Sequence, residues 1–187
     1  MKRLIPILAF LAIVGFITQA EAAPTDTCGM SVTVVVTASV SVTDEPLAFQ
    51  TVSAGTSDVS DSGCTVTNDG SALSYYKLKI TDKPATWSVK EDAGTTVWNE
   101  FRLLALFTST ASPGSGVFDT ADDIVKQTAE TTASSTAYAI TLEEASVKGY
   151  DCTKTAVRKL WFRFDAPSGT DLTTQQWITV TVYAYQT

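Results

Sequence analysis

The chain has no histidine and little charge, and each shortage closes off a class of function. Without histidine there is no Ser-His-Asp or Cys-His catalysis, and no histidine-ligated zinc or haem. Only 18% of residues are charged, and 20 acids against 13 bases leave a net charge of −7. That balance argues against binding nucleic acid or an anionic lipid surface. Cysteine is scarce, with three in 187 residues, and no pair has the C-x-x-C spacing of a zinc site. No phosphate-cradling glycine loop and no Gly-x-Ser-x-Gly elbow is present. The sequence therefore predicts neither an enzyme nor a bound cofactor. Serine and threonine fill the gap left by charge, with 47 positions between them. A Thr/Val-rich, Lys/Glu-poor composition favours strands over helices.

The amino terminus reads as an address. Lys2 and Arg3 precede an apolar run from Leu4 to Ile17, and Ala20-Glu21-Ala22 has the small-x-small pattern of a cleavage site. This is a secretory signal peptide, residues 1–22; a membrane span would need about 20 apolar residues. Cleavage leaves 165 of the 187 residues, and losing Lys2, Arg3 and Glu21 takes the net charge to −8. That length suits one domain with a sizeable core. No second apolar span follows, so the mature chain is expected outside the cell or at its surface, without membrane insertion. Residues 23–30 form a leader and residues 31–187 the domain.

Cys28, Cys64 and Cys152 remain after processing. Export permits a disulfide, and three pairings are open. A Cys64–Cys152 bond is the preferred one, because Cys28 sits in the leader, where it is either a free thiol or a link between subunits.

The most regular element is Ser31 to Val42. Val32, Val34, Val36, Ala38, Val40 and Val42 share one face, and Ser31, Thr33, Thr37, Ser39 and Ser41 share the other. Period two means a strand with one buried face, and its length is about twice that of an ordinary strand. Further strands are predicted at Leu47–Val52, at Cys64–Thr67, around Tyr76, Leu78 and Ile80, and at Thr86–Val89. Others follow at Phe101–Phe107, Tyr138–Leu142, Val157–Phe164 and Trp177–Tyr185. Phe101–Phe107 is nearly all apolar and reads as a central strand covered on both faces. Asp119–Lys126 has the look of one helical turn capped by Asp119, and Thr128–Thr136 of an exposed loop. Nine or ten short strands separated by turn signals predict an all-β fold, an antiparallel Ig-like β-sandwich forming a single domain. A closed barrel is the alternative.

Leu47-Ala48-Phe49-Gln50-Thr51-Val52-Ser53-Ala54-Gly55, followed by Cys64-Thr65-Val66-Thr67-Asn68-Asp69-Gly70, resembles the opening of ASH-type and choice-of-anchor domains. Those exported Ig-like modules carry a glycine where this chain has Gln50. A second stretch is similar to exported pilin subunits of the spore coat U type. They share an alternating first strand (here Val34–Val42), a Pro-Leu-x-Phe segment (Pro46-Leu47-Ala48-Phe49), a Cys-Thr strand (Cys64-Thr65) and a terminal Thr/Val strand (Ile178–Tyr185). The cysteine that many such subunits carry just before Pro46 is missing. Leu160–Pro167 is also similar to a segment of exported bacterial β-sandwich proteins. These resemblances imply a sandwich that serves a cell surface, and the pilin likeness implies assembly.

The long first strand has two readings. It crosses between sheets of its own domain, or its leading half completes a neighbour's sheet by strand addition. In the second reading Val32, Val34, Val36, Ala38 and Val40 form the donor face, and Ile178, Val180, Val182 and Ala184 form the acceptor edge. Partners would be further copies or other surface subunits. A binding module for glycan or matrix is the other class of function, with Trp177, Tyr183 and Tyr185 as its aromatics. Trp87, Trp98 and Trp161 read as core. Asp119, Asp122 and Asp123 lack the glycine and closing glutamate of a calcium loop, so a cap is preferred to a metal site. Glu143 and Glu144 are adjacent, point to opposite faces of a strand, and cannot act as a glycosidase pair.

Overall fold

The computed structural model describes residues 31–108, 112–140 and 148–186. The expected signal peptide, the leader with Cys28, and Glu143 and Glu144 lie outside these residues. The chain divides into two units, Met1–Val34 and Val35–Thr187. Of the first, Ser31–Val34 are described; they are exposed and form no strand.

The second unit carries nine strands among its described residues. They are β1 (Val40–Thr43), β2 (Ser57–Val59), β3 (Cys64–Asn68), β4 (Ser74–Asp82), β5 (Ser88–Val89), β6 (Glu100–Thr108), β7 (Thr131–Thr132), β8 (Val157–Asp165) and β9 (Thr179–Gln186). One sheet runs β1-β3-β8-β6-β5 with β2 also on β8, and the other runs β7-β4-β9. All the strand pairs are antiparallel except β5 with β6. This is the antiparallel β-sandwich that the strand spacing predicts.

The core lies between the sheets. Period-two alternation in β4 sends Tyr76, Leu78 and Ile80 inward and leaves Tyr75, Lys77 and Lys79 outside. From the facing sheet come Phe101, Leu103, Ala105 and Phe107 of β6, with Leu160, Phe162 and Phe164 of β8. Trp87 joins Phe101 and Phe164 at ring separations of 5.7 and 6.1 Å. Each such side chain contributes about 1.5–3 kcal/mol by leaving water.

β6 is buried along almost its whole length because its second face is covered too. Leu104 and Leu106 pack there with Phe118 and Trp161 in a smaller cluster. The same face holds one buried ionic group. Asp165 accepts from Arg102 Nε at 2.8 Å and from Arg163 Nε at 2.7 Å. Arg102 also donates to the carbonyl of Gly94, and Arg163 to that of Ser115. One carboxylate thus ties β6 to β8 and pins two loops over them.

Several elements differ from expectation. The strand predicted for Ser31–Val42 is a ladder only from Val40 to Thr43, paired with Thr65–Asn68 of β3. Its partner stops at the Asn68-Asp69-Gly70 turn, so residues before Val40 meet a turn, not a strand. Leu47–Val52 pairs with no strand among the described residues; Leu47, Phe49 and Val52 pack on the core from an irregular segment. The Asp119–Lys126 stretch forms a non-helical turn, and the Thr128–Thr136 loop contains β7 and the buried Ala133. Trp98 is 59% exposed, lying on Gly169, and is no part of the core.

The Cys64–Cys152 disulfide is not formed; both are buried free thiols. Cys64 opens β3, whereas the carbonyl of Cys152 is bonded by Asn68 Nδ2 at its far end, at 2.8 Å. Cys64 thus lies about four residues of strand, roughly 13 Å, from Asn68, the residue that Cys152 is bonded to, whereas a disulfide needs Cα atoms within about 7 Å.

Replacing Asp165 by Asn leaves the buried Arg102 guanidinium, and the half-buried one of Arg163 beside it, without their counter-charge. The expected loss is about 3–5 kcal/mol of stability, or about 10 °C in Tm. A thermal melt that moves by less than about 2 °C would show that solvent already screens the group.

Candidate functional site

β1 and β9 are both edge strands. Among the described residues β1 pairs only with β3, and β9 only with β4. They border the same flank of the sandwich, and the core is incompletely covered between them. Val40 and Val42 of β1, with Val180, Val182 and Ala184 of β9 and Ile178 just before it, are only half-buried, although all pack on core residues. Between them lies a groove of about 250 Å³. Leu47 and Phe49 wall it on one side, Leu103, Leu160 and Phe162 form its floor, and Trp177 stands at its mouth.

Local sequence explains this shape. Asp44 turns the chain with φ +70°. Its carboxylate accepts from Lys159 Nζ at 3.0 Å and from the Thr65 hydroxyl. Those two donors hold the Asp44 carboxyl below its ordinary range. The pinned turn carries Leu47 and Phe49 over the open end of the sheets, so the wall consists of side chains on a segment without its own ladder. Cys64 also lines the groove. Burial pushes its thiol up to about 12, so it stays protonated.

The predicted donor face is divided. Val40 lies in β1 and is half-buried. The segment around Ala38 is tied down on either side. Ser71 N–H donates to the Thr37 carbonyl at 3.0 Å, and Asp69 N–H to that of Ser39 at 3.2 Å. A Cβ on Gly70 would come within 2.5 Å of the Thr37 carbonyl oxygen, so glycine there lets the segment close on the turn. Val32, Val34 and Val36, by contrast, are 73%, 77% and 49% exposed and belong to no strand. All four predicted acceptor residues line or flank the groove.

The three predicted binding aromatics do not share a surface. Trp177 is 62% exposed at the groove. Tyr185 lies on the opposite face of its sheet, stacked on Tyr75 at 5.7 Å, and Tyr183 pairs across the ladder with Lys77. Tyr75, Lys77 and Glu130 are functional candidates that sequence reasoning missed. The alternation of Tyr75 and Lys77 with buried Tyr76 and Leu78 was the signal that could have found them.

Among the described residues no group of three His, Cys, Asp or Glu side chains is placed to hold a metal ion. Asp119 Oδ1 instead accepts from the Ala121 N–H at 2.7 Å, a cap on the turn. Asp123 is buried, accepting from the N–H groups of Asp119 at 2.7 Å and Tyr138 at 2.6 Å. Burial outweighs these bonds and pushes its carboxyl up to about 7 from 3.8.

The folded chain therefore retains a proton on Asp123 that the unfolded chain releases above about pH 4. Stability from this group is fullest at low pH and falls as pH rises through about 7. Wild type should lose Tm relative to Asp123→Asn between pH 4.5 and 7.5 (roughly the window between the two pKa values). A constant gap between the two melting curves over that range would refute the assignment.

No family model, no curated protein and no solved structure matches the chain.

Proposed function

We propose that the protein is an exported, non-enzymatic structural subunit that assembles with copies of itself at a cell surface or outside the cell. The segment holding Val32, Val34 and Val36 of one copy enters the groove between β1 and β9 of the next. One observation carries this reading. The half-buried apolar row Ile178, Val180, Val182 and Ala184 has a spacing of two residues, and so does the exposed row Val32, Val34 and Val36. Added as a strand, the donor segment would offer backbone groups to an open edge and valines to the groove. Each edge left bare is otherwise a liability in solution.

The donor proposed is shorter than the face that the sequence alone suggests. Val40, and with it Ala38, stays with the acceptor's own domain, so the donor consists of residues before Thr37. The apparent signal peptide supports export, and the chain's small stock of titratable side chains supports a role without catalysis.

The mature chain is expected to form concentration-dependent oligomers in light scattering. Val34→Asp, exposed in the free subunit and harmless to its fold, should weaken association by at least about tenfold, the equivalent of one valine's burial. A synthetic peptide of residues 31–36 should compete with assembly. Monomers at high concentration for wild type would sink the proposal, as would oligomers indifferent to Val34→Asp and to the peptide.

A further inference from the structure

We infer that the outer face of the three-stranded sheet carries a second site, a cup for the neutral end of a glycan. It is a solvent-open concavity of about 390 Å³ walled by Tyr75, Lys77, Ser134, Ser135, Tyr150 and Asp151. It is shallow and open to solvent over most of its area, so a ligand would rest on it and not be enclosed. It has room for a terminal sugar or a disaccharide.

The chemistry of the walls selects the ligand class. Tyr75 is held by stacking on Tyr185, with an interplanar angle of 17°. Tyr185 is itself fixed by donating from its hydroxyl to Glu130 at 2.8 Å. A ring fixed in this way offers an apolar platform to the C–H face of a sugar with little side-chain entropy left to lose. Asp151 and Ser135 are exposed beside it, with Ser134 and Tyr150 half-buried. Together they supply acceptors and donors for sugar hydroxyls.

Charge decides against an acidic ligand. Lys77 is the cation of the cup, and it is already engaged. Its Nζ lies 4.0 Å from the centroid of the Tyr185 ring and 3.6 Å from Glu130. Among the described residues Asp151 has no ion-pair partner, and the mature chain is expected to carry a net charge of −8. A phosphate, sulfate or uronic acid would meet repulsion, while a neutral polyol meets a stacking face and a carboxylate acceptor. A purely apolar ligand would leave those polar walls unpaired.

The site is independent of the groove. Tyr75 and Lys77 point away from the core that Tyr76 and Leu78 enter, so filling the groove with a donor strand leaves the cup open. An assembly of such subunits would present one cup per copy, which raises avidity for a repeated glycan.

Saturation-transfer-difference NMR on the mature chain tests this with lactose, maltose and mannobiose, and with sialyllactose as the acidic comparison. Transfer to the ring protons of at least one neutral disaccharide is expected, and less to sialyllactose. Tyr75→Ala should weaken binding by about tenfold, the loss of one stacked ring. Asp151→Asn should weaken it as well. Asp151 is exposed with φ +49°, a conformation that asparagine tolerates, so the fold is kept in that variant. Trp177→Ala should change nothing. The inference is overturned if no neutral disaccharide receives transfer, or if transfer survives both cup variants. It is equally overturned if Trp177→Ala abolishes transfer or sialyllactose binds best. None of these outcomes depends on whether the chain assembles.

Discussion

The antiparallel pair of β6 and β8 is the member on which the rest of this sandwich hangs. Its register runs from Arg102 opposite Asp165 to Thr108 opposite Lys159. One face supplies half of the main core, and the other supports the cluster around Trp161 and the Arg102–Asp165–Arg163 group. The ionic group is expensive to desolvate and dangerous to break. Its value is positional, since alternate registers would separate Arg102 from Asp165. With that register fixed, β3 is placed on β8, β1 on β3, and the Asp44 turn on the end of both.

Placing β1 at one end of this sheet leaves its flank open. The second sheet has only β7, β4 and β9 among the described residues, and β9 ends it on the same flank. The groove follows from that arrangement. Two edges border a core left partly open, and the irregular wall of Leu47 and Phe49 covers it only in part. Strand edges normally carry charge or bulges that discourage pairing. Here Val180, Thr181 and Val182 form an uncharged edge, which supports the proposed strand addition. The proposed assembly and the proposed glycan cup use opposite faces of β4 and β9 and do not compete.

Much of the fold was legible in the sequence because strands write their faces with period two. β4, β6, β8 and β9 stand within one or two residues of where alternation or an unbroken apolar run placed them. The failures share a cause. Ser31–Ser39 alternates with one break and Leu47–Val52 is rich in apolar side chains, yet neither has a ladder among the described residues. Alternation reports which side chains want burial; whether a backbone partner is present depends on where a distant segment ends. For Ser31–Ser39 the partner is cut short by the Asn68-Asp69-Gly70 turn. The Cys64–Cys152 pairing failed for a similar reason, since sequence gives the presence of thiols and not which end of β3 each one occupies. Trp98 was misread because aromatic character predicts burial only on average.

The sequence by itself determined the class of this protein: all-β, poor in charged side chains, and without histidine chemistry. It did so because strand propensity, alternation and the lack of histidine are local properties of the chain. Tertiary structure decided everything that depends on two distant segments meeting. It brought β1 and β9 to one open flank, kept Val40 for the domain while Val32 and Val34 remained exposed, and gathered Tyr75, Tyr150 and Asp151 around one cup. It also raised the Asp123 carboxyl by burying it, against the opposing pull of two backbone donors. No pattern along the sequence encodes these meetings, because each is set by the register of the strands that carry the residues.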